Sequence, residues 1–146
     1  MKNVRRIQKG ENDGDTIQLV WIELSSMSFH YVVIRPESVD HMTLDIDDQV
    51  SETELGRTLL TAFQEAVGGY VEFIAADQPF DVYINEEGLL KGLPQNKLAF
   101  AVLNALGVEI GFCPVGPVVL TRPDDESLRS SDIEMITLLA NNLAFD

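Results

Sequence analysis

The chain has 146 residues, 45% hydrophobic and 23% charged, which suits one globular domain and excludes a disordered chain, a coiled coil and a collagen. Twenty-four acidic residues against ten basic ones give a net charge of -14, which repels nucleic-acid phosphate unless the few cations cluster. The single cysteine, Cys113, excludes an intramolecular disulfide and a Cys-rich zinc site.

The first ten residues carry Lys2, Arg5, Arg6 and Lys9 and no acid. Glu11-Asn12-Asp13-Gly14-Asp15 follows, where a signal peptide would need an apolar run. No window approaches the ~18 apolar residues of a membrane span. The expectation is a polar arm over residues 1–15 of a cytoplasmic protein. Residues 18–24 are β-prone, Ser25 and Ser26 allow a turn, and Phe29 to Ile34 form a second strand that Arg35-Pro36 ends. Met42, Leu44 and Ile46 alternate with Thr43, Asp45 and Asp47, the pattern of a half-buried strand with an acidic outer face.

Ser51 stands three residues before Glu54, the spacing of a capping box. Leu55, Leu59, Leu60, Phe63 and Val67 make one helical stripe behind it, and Gly68 is the stop. Residues 70–75 and 80–85 read as strands, and Glu86-Glu87-Gly88 as a turn. Pro94 or Asn96 opens a second helix with a stripe of Leu98, Ala101, Val102, Ala105 and Leu106, which Gly107 ends. Residues 108–112 and 117–121 are two further short β-prone runs. Ser131 and Glu134 repeat the capping-box spacing ahead of Ile136, Leu138, Leu139 and Leu143. The order predicts an α+β domain: a largely antiparallel sheet with two main helices on one face and a C-terminal helix. The domain spans residues 16–122, and 123–146 is an appended helix.

The motifs exclude more chemistry than they support. Gly111 to Gly116 has phosphate-loop glycines, but Pro117 and Val118 stand where Lys and Ser/Thr belong. Asp45, Asp47 and Asp48 begin a calcium loop, but Val50 and Gly56 occupy its glycine and glutamate positions. Asp13-Gly14-Asp15 fails the same test. His30 and His41, on neighbouring strands, can approach each other, yet two histidines fall short of a zinc set and read as a sheet-surface pair. No Gly-x-Ser-x-Gly elbow exists, and Cys113 lies in an apolar run, so it reads as a structural thiol. Trp21 and Tyr70 read as core or interface aromatics. No metal, cofactor or catalytic set is expected, and the reading leans away from an enzyme.

Residues 11–90 hold 17 acids and two bases, so the negative field belongs to the first two-thirds of the chain. Three segments then stand out: Gln64-Glu-Ala-Val-Gly-Gly-Tyr-Val-Glu72, Asn85-Glu-Glu-Gly-Leu-Leu-Lys-Gly-Leu-Pro-Gln-Asn96 and Val115-Gly-Pro-Val-Val-Leu120. Together they resemble the domain of unknown function 3846 family over about residues 31–122, most specifically in the Gly-Leu-Pro-x-Asn stretch. The resemblance implies a setting in bacteriophages, plasmids and their hosts, and no activity. Turn and cap chemistry accounts for much of the signature: Gly68, Gly88 and Gly92 suit turns, and Asn96 a helix start.

Two functions remain. One is a non-enzymatic module that binds another protein, with host defence as one target, through an acidic surface carrying Asp45, Asp47, Asp48, Glu52 and Glu54. The alternative is a small polar pocket for an anion or nucleotide, lined by Asn85, Lys91, Gln95 and Asn96 at a helix N-terminus. Direct binding of nucleic acid or membrane is not expected, and self-association stays open.

Overall fold

A computed structural model describes residues 2–10, 17–74 and 77–144, with side chains from Met27 onward. The Asp13-Gly14-Asp15 segment, Ala75 and the side chain of Trp21 lie outside the described residues.

The architecture is α+β, in the order β1 (Lys2–Gly10), β2 (Ile17–Ile34), β3 (Val39–Asp47), α1 (Glu52–Val67), β4 (Val71–Phe73), β5 (Asp81–Asn85), α2 (Lys97–Ala105), β6 (Val118–Thr121) and α3 (Ser130–Leu143). Every strand pairing is antiparallel. The main sheet runs β3-β2-β6-β5-β4, and the first half of β2 pairs with β1.

Two expectations change at the N-terminal end. Residues 2–10 are a strand rather than an arm. Ser25 and Ser26 also lie inside one continuous strand, because that is where β2 exchanges partners: Lys2 faces Ser25, and Asp47 faces Ser26. The serines mark a change of neighbour and not a reversal of the chain.

The helices lie on both faces of the sheet, not on one. Tyr31, Val33 and Val119 point one way and bury Leu59, Phe63 and Val67 of α1. Val32, Ile34, Val82, Ile84, Val118 and Leu120 point the other way, against Leu98, Ala99, Val102 and Leu103 of α2 and Ile136 and Ala140 of α3. Strand side chains alternate, so a strand buried on both faces must be apolar throughout, as Tyr31 to Ile34 and Val118 to Leu120 are. Each fully buried branched aliphatic contributes about 1.5–3 kcal/mol. Because Ile136 and Ala140 belong to this core, α3 is integral to the domain and not an appendage.

Caps set the helix ends. Ser51 Oγ accepts from Glu54 N at 3.1 Å, and Gly68 closes α1 in the left-handed conformation at φ 80°. Leu60, expected in the α1 stripe, is exposed. Asn96, not Pro94, caps α2. The expected strand over 108–112 is irregular: Val108 N donates to Leu103 O at 2.8 Å, so the first residues of this run finish the helix turn instead. At α3 the expected Ser131–Glu134 box gives way to Asp132, whose Oδ2 accepts from Arg129 N at 2.8 Å and from Arg122 Nη1 at 2.9 Å. Leu138, expected in the α3 stripe, is exposed.

Candidate functional site

The signature stretch 85–96 joins β5 to α2 and packs against the chain that leads into β6. Asn96 is fully buried. Its Oδ1 accepts from Ala99 N at 2.9 Å, which starts α2. Its Nδ2 donates to Ile34 O at 2.7 Å and to Gly116 O at 2.8 Å. One amide therefore fastens a helix start, the end of β2 and the approach to β6. Asn96 N donates to Pro114 O and Gly116 N to Pro94 O, both at 2.8 Å, so backbone bonds close the same junction. Gly116, at φ 77°, sits where an added Cβ would lie 2.7 Å from Leu93 Cδ1. The Gly-Leu-Pro-x-Asn stretch and the Val115-Gly116 pair are thus two sides of one joint.

Asn85 is also buried and also bonded. Its Nδ2 donates to Val67 O at 2.9 Å, tying β5 to the end of α1, and its Oδ1 accepts from Glu87 N at 2.8 Å. Lys91 is exposed, with Nζ 2.9 Å from where a Cβ on Gly69 would stand. Gln95 is exposed and bridges Val115 through its backbone. Asn85 lines a cavity of about 310 Å³ with Glu72, Ile84, Glu86, Gly88, Leu89, Phe112, Cys113 and Val115. Lys91, Gln95 and Asn96 are not part of that lining.

The five acids named from the sequence are placed differently. Asp45 and Asp47 end β3, Asp48 lies in the turn, and Glu52 and Glu54 open α1; all five are exposed. Asp47 Oδ1 accepts from Gln49 N at 3.0 Å. Glu52 and Glu54 occupy the first turn of α1, where the helix dipole favours negative charge. No Lys or Arg lies between Arg35 and Arg57, and Arg35 is paired with Asp40 at 2.8 Å.

His30 and His41 meet. Nδ1 of His30 lies 2.8 Å from Nε2 of His41, and Thr43 Oγ1 is 3.3 Å from the same Nδ1. Burial, and then the charge of His41, hold the His30 imidazole below its ordinary pKa, so the pair resists double protonation. Among the described residues, no group of three or more His, Cys, Asp or Glu side chains could hold a metal ion.

Sequence reading missed one group. Asp77, Asp81, Tyr83, Asp124 and Asp125 line a cavity of about 440 Å³. Tyr83 Oη donates to Asp125 Oδ1 at 3.2 Å, and Asp124 N to Asp81 Oδ2 at 3.2 Å. Burial pushes the Asp81 carboxyl and the Tyr83 phenol up; the charges of neighbouring aspartates add to both shifts, while the Asp124 backbone N–H that Asp81 accepts from works against its own. The available signal was Asp81 itself, a charge at the start of an otherwise buried strand.

These features define a helix–sheet–helix α+β domain whose signature asparagines, Asn85 and Asn96, are bonded within the fold. The chain belongs to the domain of unknown function family DUF3846, whose sequence model matches residues 32–142. The match runs into α3, as the packing of that helix into the core requires. No curated protein and no solved structure gives a significant match.

Proposed function

We propose that this is a non-enzymatic interaction module that docks on a basic surface of a partner protein through the β3–α1 acids. The observation that carries the reading is the exposure of Asp45, Asp47, Asp48, Glu52 and Glu54 along one stretch free of Lys and Arg. Charge of this kind speeds encounter and makes binding salt-dependent. The anion-pocket alternative draws no comparable support, because the amides of Asn85 and Asn96 already have partners within the fold. The mobile-element setting that the resemblance implies is the reason to seek the partner among host proteins, including those of host defence.

The test immobilises the chain and a variant carrying Asp45→Asn, Asp47→Asn, Asp48→Asn, Glu52→Gln and Glu54→Gln, and exposes both to bacterial lysate. The wild type captures a discrete protein at low salt. That capture is lost in about 0.5 M salt, where screening reaches only a few ångströms, and lost in the variant. Wild-type resin that retains nothing at low salt refutes the proposal.

A further inference from the structure

At the edge of the main sheet opposite β3, strand β4 has a paired side and an open side. Tyr70 O accepts from Glu86 N, and Ile74 N donates to Val82 O, so the even-numbered residues bond toward β5. By the alternation of an antiparallel ladder, the N–H and C=O groups of Val71 and Phe73 face outward. Among the described residues no strand pairs with that side. Unpaired edges are templates for another strand unless charge, proline or a covering element blunts them.

Three further observations converge there. Glu72 and Ile84, side by side across β4 and β5, form one wall of the 310 Å³ cavity, and Leu89, Phe112, Cys113 and Val115 supply an apolar remainder. Leu89 of the lining is 83% exposed, and its chain neighbour Leu90 and Tyr70, next to β4 in the chain, are 87% and 66% exposed. The charged residues of the lining are Glu72 and Glu86; Lys91 is outside it, over Gly69 and beside the Asn85 amide. We propose that the outer edge of β4 and this cavity together receive an extended segment of a partner protein, carrying an apolar side chain flanked by lysine or arginine.

In that arrangement the segment adds a strand to the sheet. Its backbone bonds to Val71 and Phe73. One apolar side chain, on the face shared with Glu72, enters the cavity. The cations two residues to either side share that face and approach Glu72 and Glu86. This surface lies across the sheet from the β3–α1 acids, so either reading can fail while the other stands.

The single thiol gives the readout, because Cys113 lines the cavity and is only half-buried. Its alkylation rate is measured with three synthetic seven-residue peptides. The first reads valine-lysine-valine-leucine-valine-lysine-valine, which puts the leucine and both lysines on one face of the added strand. The second replaces valine and leucine by serine and keeps the charge. The third places prolines at alternate positions to remove strand donors. At saturation the first peptide slows alkylation at least five-fold, and the other two change it less than two-fold. Glu72→Lys and Leu89→Asp, both at exposed positions, abolish the protection while the far-ultraviolet spectrum and melting temperature stay unchanged. Protection by the serine peptide to the same extent overturns the proposal, as does protection retained in Glu72→Lys, or none from the first peptide. A dimer that Leu89→Asp dissociates without any peptide would assign the edge to a second copy and overturn it as well.

Discussion

Replacing Asn96 by Asp separates a helix cap from a structural joint. Asp is as good an N-cap as Asn, so on an exposed helix start the change would be nearly neutral. Here Oδ1 can still accept from Ala99 N, but the group that donates to Ile34 O and Gly116 O becomes a carboxylate oxygen 2.7–2.8 Å from two carbonyls. Losing two buried bonds costs about 1–3 kcal/mol each, and desolvating an anion beside two acceptors adds to that. The expected loss at pH 7 is about 3–5 kcal/mol, a large part of a typical domain's 5–15 kcal/mol. At roughly 2–4 °C per kcal/mol for a chain near this size, the melting temperature falls by about 10–15 °C. Urea denaturation at fixed pH, followed by circular dichroism, measures the change. A loss below about 0.5 kcal/mol would refute the argument that Asn96 works as a three-way fastener.

Other substitutions probe neighbouring claims. Gly68 and Gly116 both have positive φ, but a Cβ on Gly68 meets nothing within 4 Å while one on Gly116 meets Leu93 Cδ1 at 2.7 Å. Gly68→Ala should therefore cost about 1–2 kcal/mol of left-handed strain, and Gly116→Ala at least about 1 kcal/mol more, by urea denaturation; equal costs would contradict the packing. Asp132→Ala removes the partner of both Arg129 N and Arg122, and should cost about 1–3 kcal/mol in the same assay; no change would mean that the α3 start is held otherwise. The depressed His30 pKa means that the unfolded chain binds more protons as pH drops below about 6.5, so stability falls with pH through that window and is fully present above it. In an NMR titration His41→Gln raises the His30 pKa without restoring its ordinary value, because burial is the larger cause; an unmoved His30 would rule out the coupling.

Local signals were legible where a residue acts on its own neighbourhood. Ser51 and Gly68 bracket α1, and Asn96 caps α2. What Asn96 does with its other amide atoms was not legible, since Ile34 and Gly116 lie 62 and 20 residues away. Asn85 is similar: it reads as turn chemistry but reaches back to Val67. The placement of helices on both faces had a signal that went unused. Tyr31 to Ile34 and Val118 to Leu120 are apolar without alternation, which one covered face does not require. The Ser25-Ser26 reading failed for the opposite reason: polar residues in a long strand resemble a turn when the change of partner beside them is invisible. Tyr83 and Asp125, 42 residues apart, share a cavity only because the first half of antiparallel β5 lies beside the end of β6 and the turn that follows it.

The most direct test of the proposed role is the association rate of a captured partner with the wild type and with the five-acid neutralised variant, measured from 50 mM to 500 mM salt. The account predicts at least a ten-fold fall in rate for the wild type across that range, and a slower, nearly salt-independent rate for the variant. Equal rates and equal salt slopes for the two proteins would contradict it.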